Sequence, residues 1–306
     1  MEFLYFLEGL RSPVLDTLMV LVTELGGETA FLVAALVLYW CVDKRQGIYL
    51  LAVGYIGTLA NQFLKITCRI PRPWIRDPNF TIVESAREAA TGYSFPSGHS
   101  QNAVGTFGSI AAVTKQKWIR VLCIAVCVLV PFSRMYLGVH TPADVLVGSG
   151  MAVTLILLMK PIVFGKDGKH IPMLFGVMIA LGIAFVAFME LYPFPADIDV
   201  HNLESAVKNS YTLIGALMGM VAAYWYDEKH LHFPTEAVWY AQLLKIAGGL
   251  VLVLAVKSGL KAPLDALFGG HMIARAVRYG LVVVVAGMVW PMTFGWFSRL
   301  GRKERQ

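Results

Sequence analysis

The chain has 306 residues, of which 57% are hydrophobic and 15% charged, with a mean hydropathy of +0.63 and a formal net charge of +6. An ordinary soluble domain carries roughly 25% charged and 45–50% apolar residues, so the composition excludes a soluble globule, and 12% aromatic residues exclude disorder. The small, scattered charge excludes a nucleic-acid partner, and four cysteines without a C-x-x-C pair exclude a disulfide framework and a structural zinc site.

The chain therefore reads as an all-α polytopic membrane protein. Residues 1–10 are too short to cross a bilayer and lack the basic n-region of a signal peptide. They are expected to form an interfacial helix that carries Phe3, Leu4, Phe6 and Leu7 into the bilayer boundary. A spanning helix needs about 20 mostly apolar residues. Candidates follow near 28–42, 47–65, 98–114, 119–137, 143–160, 171–192, 210–226, 236–256 and 279–297, about nine spans. The first stops at Asp43-Lys44-Arg45 and can extend back through Gly26-Gly27 into 14–25 with a kink there.

Nine spans place the termini on opposite sides. One side collects Lys44, Arg45, Lys115, Lys117, Arg120, Lys160, Lys166, Lys169, Lys229, Arg299, Arg302, Lys303 and Arg305, which is 13 of the 26 Lys and Arg. The other collects Lys65, Arg69, Arg72, Arg76, Arg87, Arg134, Lys208, Lys257, Lys261, Arg275 and Arg278, and several of these fall in one cluster that chemistry can require. The positive-inside rule makes the first side, with the C-terminus, cytoplasmic. Short loops point to a bacterial plasma membrane.

Three segments on the outward side break the apolar pattern with polar residues that are costly to keep in a membrane. The first runs from Lys65 to Arg72-Pro73, the second is Phe95-Pro96-Ser97-Gly98-His99, and the third runs from Ser133-Arg134 through His140 to Asp144. Lys65, Arg72 and Arg134 offer one point charge and two planar forks, donors suited to phosphate oxygens. Ser97 and Gly98 sit at a helix start, where free N–H groups and the helix dipole favour an anion, and Gly98 lets backbone approach a ligand. Thr141-Pro142-Ala143-Asp144 reads as N-cap, first-turn proline and capping box. That places His140 just before the helix, with Asp144 in reach to fix its tautomer. His140 is then a nucleophile toward phosphorus, oriented by Asp144. His99 can protonate the leaving oxygen and later activate water. Taken singly, each residue has a duller reading: a capping histidine, a snorkelling cation, a helix-cap Asp144, a packing Gly98. The set, on one side and at helix ends with complementary chemistry, reads as a phosphoryl-transfer site.

Lys65-x6-Arg72-Pro73, Pro96-Ser97-Gly98-His99 and Ser133-Arg134-x5-His140-x3-Asp144 resemble the three-part signature of the type 2 phosphatidic acid phosphatase superfamily. That group includes lipid phosphate phosphatases, polyprenyl-diphosphate phosphatases and sphingosine-phosphate phosphatases. The resemblance covers 65–144. It implies a six-helix-type phosphatase core over 1–165 and additional C-terminal transmembrane helices over 166–306. It also implies a phosphohistidine on His140 supported by Asp144, His99 as general acid and base, and phosphate held by Lys65, Arg72, Ser97, Gly98 and Arg134. No metal or other cofactor is implied. The segments 10–16 and 39–45 look like the sphingosine-phosphate branch. The partner is then a lipid phosphate in the bilayer: a sphingoid-base phosphate or related lipid, with a polyprenyl diphosphate as the alternative. A phosphotransferase using the same site is a rival reading. An inactive transporter is another, but it would call for internal repeats, and none is found between 28–160 and 171–297.

Of the remaining residues, the loop 74–95 is placed to select substrate, and Asn79-Phe80-Thr81 is a glycosylation acceptor pattern. Asp197, Asp199 and His201 are grouped as a metal site would be, but the three motifs suffice without one. Lys245 reads as a snorkelling residue or inter-helix partner, Cys123 and Cys127 as buried thiols, and His230 and His232, near Asp227 and Glu228, as a solvated cytoplasmic loop.

Overall fold

The computed structural model describes residues 1–165 and 168–300. Lys166, Arg302, Lys303 and Arg305 of the charge count lie outside the described residues, as does residue 166, where the C-terminal region was expected to begin. Among the described residues the protein is all α.

α1 (Glu2–Glu8) precedes α2 (Pro13–Glu24), which starts where Ser12 accepts from Leu15 N and Pro13 fixes the first turn. α3 (Glu28–Val37) runs on as a π-helical turn over Leu38–Val42. α2 and α3 with its π turn meet at a 46° bend, as the glycine pair at 26–27 predicts. α4 (Lys44–Cys68) and the short α5 (Pro73–Arg76) lead to a loop with a single 3-10 turn, Glu84–Ala86. α6 (Gly98–Val113), α7 (Lys117–Tyr136) and α8 (Pro142–Phe164) follow. Then come α9 (Ile171–Leu191), α10 (Val200–Tyr226), α11 (Trp239–Gly259), α12 (Lys261–Leu267), α13 (Ile273–Val284) and α14 (Phe294–Phe297).

Among the described residues six helices are long and apolar enough to cross a membrane, or up to seven if the bent α2–α3 pair is one span. The expected count of about nine also included α6 and α10. α6 has 16 residues and opens with His99, Ser100, Gln101 and Asn102. α10 opens with a turn that carries His201, Asn202 and Glu204.

The chain forms two compact units: residues 1–35, 49–167 and 194–206, and residues 36–48, 168–193 and 207–306. In the first, α6 packs against α7 and α8, and α2 against α7. Tyr136, Leu137, Val139 and Ala86 form a core beneath the 74–95 loop, joined by Met19, Val20 and Trp74. The four apolar residues of α1 divide between two environments. Phe3 and Phe6 are 45% and 62% exposed, but Leu4 and Leu7 are buried, Leu4 against Phe80 and Ile82. Burial of a leucine contributes roughly 1.5–3 kcal/mol, so α1 docks on the protein as well as facing outward.

In the second unit Lys245 is fully buried and donates to the carbonyls of Trp40 (2.8 Å) and Thr235 (3.0 Å), its ammonium 4.2 Å from the Phe294 ring centre. It is an inter-helix partner and does not snorkel. The segment 227–232 differs from the expected solvated loop. Asp227–Leu231 continue α10 as a π-helix, and Asp227 is buried, pairing with Lys44 at 2.5 Å and accepting from Phe233 N. The histidines of the segment, His230 and His232, are exposed. Lys44 determines the outcome: its ammonium, 3.7 Å from the Phe233 ring centre, draws the carboxylate inward.

Candidate active site

Every residue of the three motifs lies in the first unit. α4 ends in the turn that carries Lys65, a loop carries Arg72, α6 begins at Gly98, α7 ends in the turn that carries Arg134, and α8 begins just after His140. The expected α8 start is found in full. Thr141 Oγ1 accepts from Asp144 N, Asp144 Oδ2 accepts from Thr141 N at 2.7 Å, and Pro142 occupies the first position. A helix thus begins immediately after His140 and turns Asp144 back toward it.

His140 is buried. Its Nδ1 lies 3.5 Å from Asp144 Oδ2, and its Nε2 lies 2.9 Å from Arg72 Nη1. A guanidinium can only donate, so Nε2 accepts and carries the lone pair, and the proton sits on Nδ1, facing the carboxylate. Burial first, then the positive charges of Arg72, Arg134 and Lys65, with a smaller effect of the neighbouring His99 ring, push the His140 imidazole well below the usual histidine range. The imidazole is therefore neutral near pH 7, with its lone pair on Nε2. The same charges acting on one ring show that the motifs converge.

The cations differ in what they have left to offer. Lys65 Nζ donates to the Tyr93 carbonyl. Arg72 donates through Nε to Gly92 O, through Nη1 to Val139 O and His140 Nε2, and through Nη2 to Thr91 O, which occupies four of its five N–H groups. Arg134 is wholly buried. Its Nη1 donates to Thr23 Oγ1 at 3.0 Å, while Nε and Nη2 have no hydrogen-bond partner among the described residues. A buried charge with open donors is costly unless an anion completes it, and an oxyanion with several acceptor oxygens fits that set.

Ser97 caps α6, its Oγ accepting from Ser100 N, and its own N–H donates to Asp144 O. A Cβ at Gly98 would meet only Asn61 Oδ1, at 3.6 Å, so protein packing does not demand glycine there and room for a ligand remains. Gly148 is the opposite case: a Cβ would lie 2.5 Å from the Ser97 carbonyl, so α8 can pass this close to the α6 start only with glycine at that position.

Three contributors fell outside the sequence reading. Ser94 is fully buried and donates from Oγ at 2.6 Å to Asp144 Oδ2, the same oxygen that accepts from Thr141 N, which fixes the carboxylate from a second direction. Asn61, one turn before Lys65, donates to Pro96 O at 3.4 Å and ties α4 to the second motif. Its spacing from Lys65 was the available signal. Thr23, in an apolar helix, carried no signal. Among the described residues no group of three His, Cys, Asp or Glu side chains is placed to hold a metal ion. Asp199 Oδ1 instead accepts from Asn202 N at the start of α10.

Fold and site together describe an integral-membrane helical protein with a buried histidine among buried cations at the ends of its helices. Residues 44–168 match the PAP2 superfamily, and residues 211–303 match "PAP2 superfamily phosphatase, transmembrane extension"; the chain belongs to this superfamily. It is 26% identical over 245 residues to the probable sphingosine-1-phosphate phosphatase of Dictyostelium discoideum, covering 73% of this chain and 57% of that one. It is 33% identical over 140 residues to the undecaprenyl-diphosphatase of Sulfolobus acidocaldarius, covering 45% and 66%. It is 30% identical over 165 residues to phosphatidylglycerophosphatase B of Bacillus subtilis, covering 49% and 76%. The chain thus spans less than two thirds of the length of the first two. No solved structure matches it.

Proposed function

We propose that the protein is a lipid phosphate phosphatase that works through a phosphohistidine on His140 and needs no metal ion. The observation that carries this reading is the placement of His140 Nε2, held as an acceptor by Arg72 at 2.9 Å beside the open donors of Arg134. A bound phosphate takes over the Arg72 donor and frees the Nε2 lone pair. Nε2 then attacks phosphorus, the bond from phosphorus to the lipid oxygen breaks, and His99 gives that oxygen its proton. Asp144 stabilises the positive charge that develops on the His140 ring through Nδ1–H. Water, losing a proton to His99, next breaks the N–P bond and releases inorganic phosphate. Lys65, Arg72, Arg134 and the N–H groups at the α6 start supply the charge stabilisation that a metal would otherwise provide.

A sphingoid-base phosphate is the preferred substrate. The relative named for sphingosine 1-phosphate aligns over 73% of this chain, whereas the diphosphatase and the phosphatidylglycerophosphatase align over 45% and 49%. The higher identity to the diphosphatase supports a polyprenyl diphosphate as the second reading. The site faces outward in a bacterial plasma membrane with the C-terminus inside, and residues 1–165 form the phosphatase core. The 74–95 loop, where Arg87 lies 5.4 Å from the Trp74 ring centre, borders the site and contributes to headgroup choice.

The test is phosphate release by the purified protein in detergent with excess chelator. Substrates are sphingosine phosphate, phosphatidate, phosphatidylglycerol phosphate, undecaprenyl diphosphate and glucose 6-phosphate, with His140→Ala alongside. Release that survives chelation and is lost in the variant is expected, and the fastest substrate assigns the class. Transfer of phosphate to an added lipid acceptor in place of release would make the protein a transferase, and silence on every substrate would overturn the reading.

A further inference from the structure

We infer that Thr23, on the helix that precedes the family-matched region, is a positioning residue that aims Arg134 at the substrate phosphate. This rests on the proposed role of Arg134 as a phosphate ligand.

Thr23 is buried and Arg134 is wholly buried, and their Oγ1–Nη1 contact of 3.0 Å is the hydrogen bond that the guanidinium makes among the described residues. A planar fork with one corner tethered has a defined orientation. Here the tether leaves the adjacent Nε and Nη2 untaken, the pair that can grip two phosphate oxygens at once. Without the tether the guanidinium can rotate, and a site that must fit a transferring phosphoryl group loses alignment. The charge of Glu24, the next residue along, also acts on Arg134.

A second observation places α2 against the chemistry. At Gly26 a Cβ would lie 2.7 Å from the His99 carbonyl and 2.7 Å from Val130 Cγ1. The break between α2 and α3 is therefore pressed onto the first turn of α6 and onto α7. The bent helix pair is thus a wall of the site as well as a membrane element, and its threonine is aimed at the arginine with open donors. The residues that match the superfamily begin at 44, so this wall lies outside them.

The experiment compares Thr23→Val, which keeps the side chain's shape and removes the acceptor, with Thr23→Ser, which restores it. Thr17→Val is the matched control on the same helix, since Thr17 is exposed and its hydroxyl donates to Pro13 O within its own helix. The readouts are kcat and KM on the best substrate of the panel, the inhibition constant of inorganic phosphate, and the melting temperature in detergent. Thr23→Val is expected to weaken inhibition by phosphate about tenfold and to lower kcat/KM by a similar factor, the scale of one hydrogen bond to a charged group. Thr23→Ser should return within about twofold of the parent, and Thr17→Val should change nothing. In an Arg134→Lys background Thr23→Val should add no further loss, because the two side chains act as one unit. The inference is overturned if Thr23→Val leaves phosphate inhibition unchanged, if Thr23→Ser fails to rescue, or if the double variant shows additive losses. If instead His140→Ala still turns over, the phosphohistidine reading fails, and that result is read separately from the Thr23 series.

Discussion

Two sets of buried cations, one in each unit, differ in what they have left to offer. Around Lys245 and Lys44 in the second unit the accounting closes. Lys245 donates to two carbonyls and lies over an aromatic ring, Lys44 pairs with Asp227, and Trp40 Nε1 donates to Ala286 O. In the first unit it stays open. Among the described residues Arg134 keeps Nε and Nη2 without partners, and Arg72 spends one of its donors on the lone pair of a histidine that burial and cations hold neutral. A closed set of hydrogen bonds stabilises a helix bundle. An open one is destabilising until an anion arrives, and here it lies where the three motifs meet, which is what the proposed phosphate site calls for.

Breaking the open set should cost activity and little stability. His140→Ala is expected to lower kcat by about four orders of magnitude or more, as loss of a covalent nucleophile does, with an unchanged melting temperature. A variant within tenfold of the parent would remove His140 as nucleophile. Arg134→Lys keeps the charge and loses the fork, so kcat/KM should fall by roughly 10²–10³; a fall under threefold in steady-state kinetics would mean that charge alone suffices. Ser94→Ala removes a hydrogen bond to Asp144 and should lower kcat by about tenfold or less, with the loss in kcat and not in KM.

The pH profile sharpens the same contrast. The folded protein holds His140 below the ordinary histidine value of about 6.5, so the neutral nucleophile persists into mild acid and the acid limb of kcat/KM should lie below that value. Removing a like charge with Arg72→Met raises the pKa of His140, so the limb should move upward by a measurable fraction of a pH unit. An unmoved limb would show that another group titrates there. Breaking the closed set should do the reverse of breaking the open one. Lys245→Met orphans two carbonyls in the second unit and should lower stability by about 1–3 kcal/mol, read as a lower melting temperature. The kcat of the protein that remains folded should not change.

How far the site was legible depends on whether a residue announces itself locally. Thr141-Pro142-Ala143-Asp144 could be read because a helix start is a local structure: cap, proline and returning carboxylate all act within four residues. The glycine pair at 26–27 likewise marked the bend. Thr23 and Ser94 could not be read, because an unremarkable hydroxyl acquires meaning only from what a distant segment places beside it, Arg134 and Asp144 here. Asp227 misled for the same reason: beside two histidines and a glutamate it looked solvated, and only Lys44, far back in the chain, draws it inward. Leu4 and Leu7 show the limit of an apolar face, since the pattern says that a face is buried and does not say whether lipid or protein buries it.

The sequence by itself therefore determined the environment and the chemical inventory. A hydropathy of +0.63 requires a membrane, and three polar motifs in such a chain require a reason. Which nitrogen of His140 carries the lone pair, which arginine keeps free donors and which helix walls the site were decided by the tertiary structure alone. Hydrogen bonds and burial are short-range, and the residues that make them here are as far apart as Thr23 and Arg134, or Arg72 and His140, until the fold brings them within 3 Å.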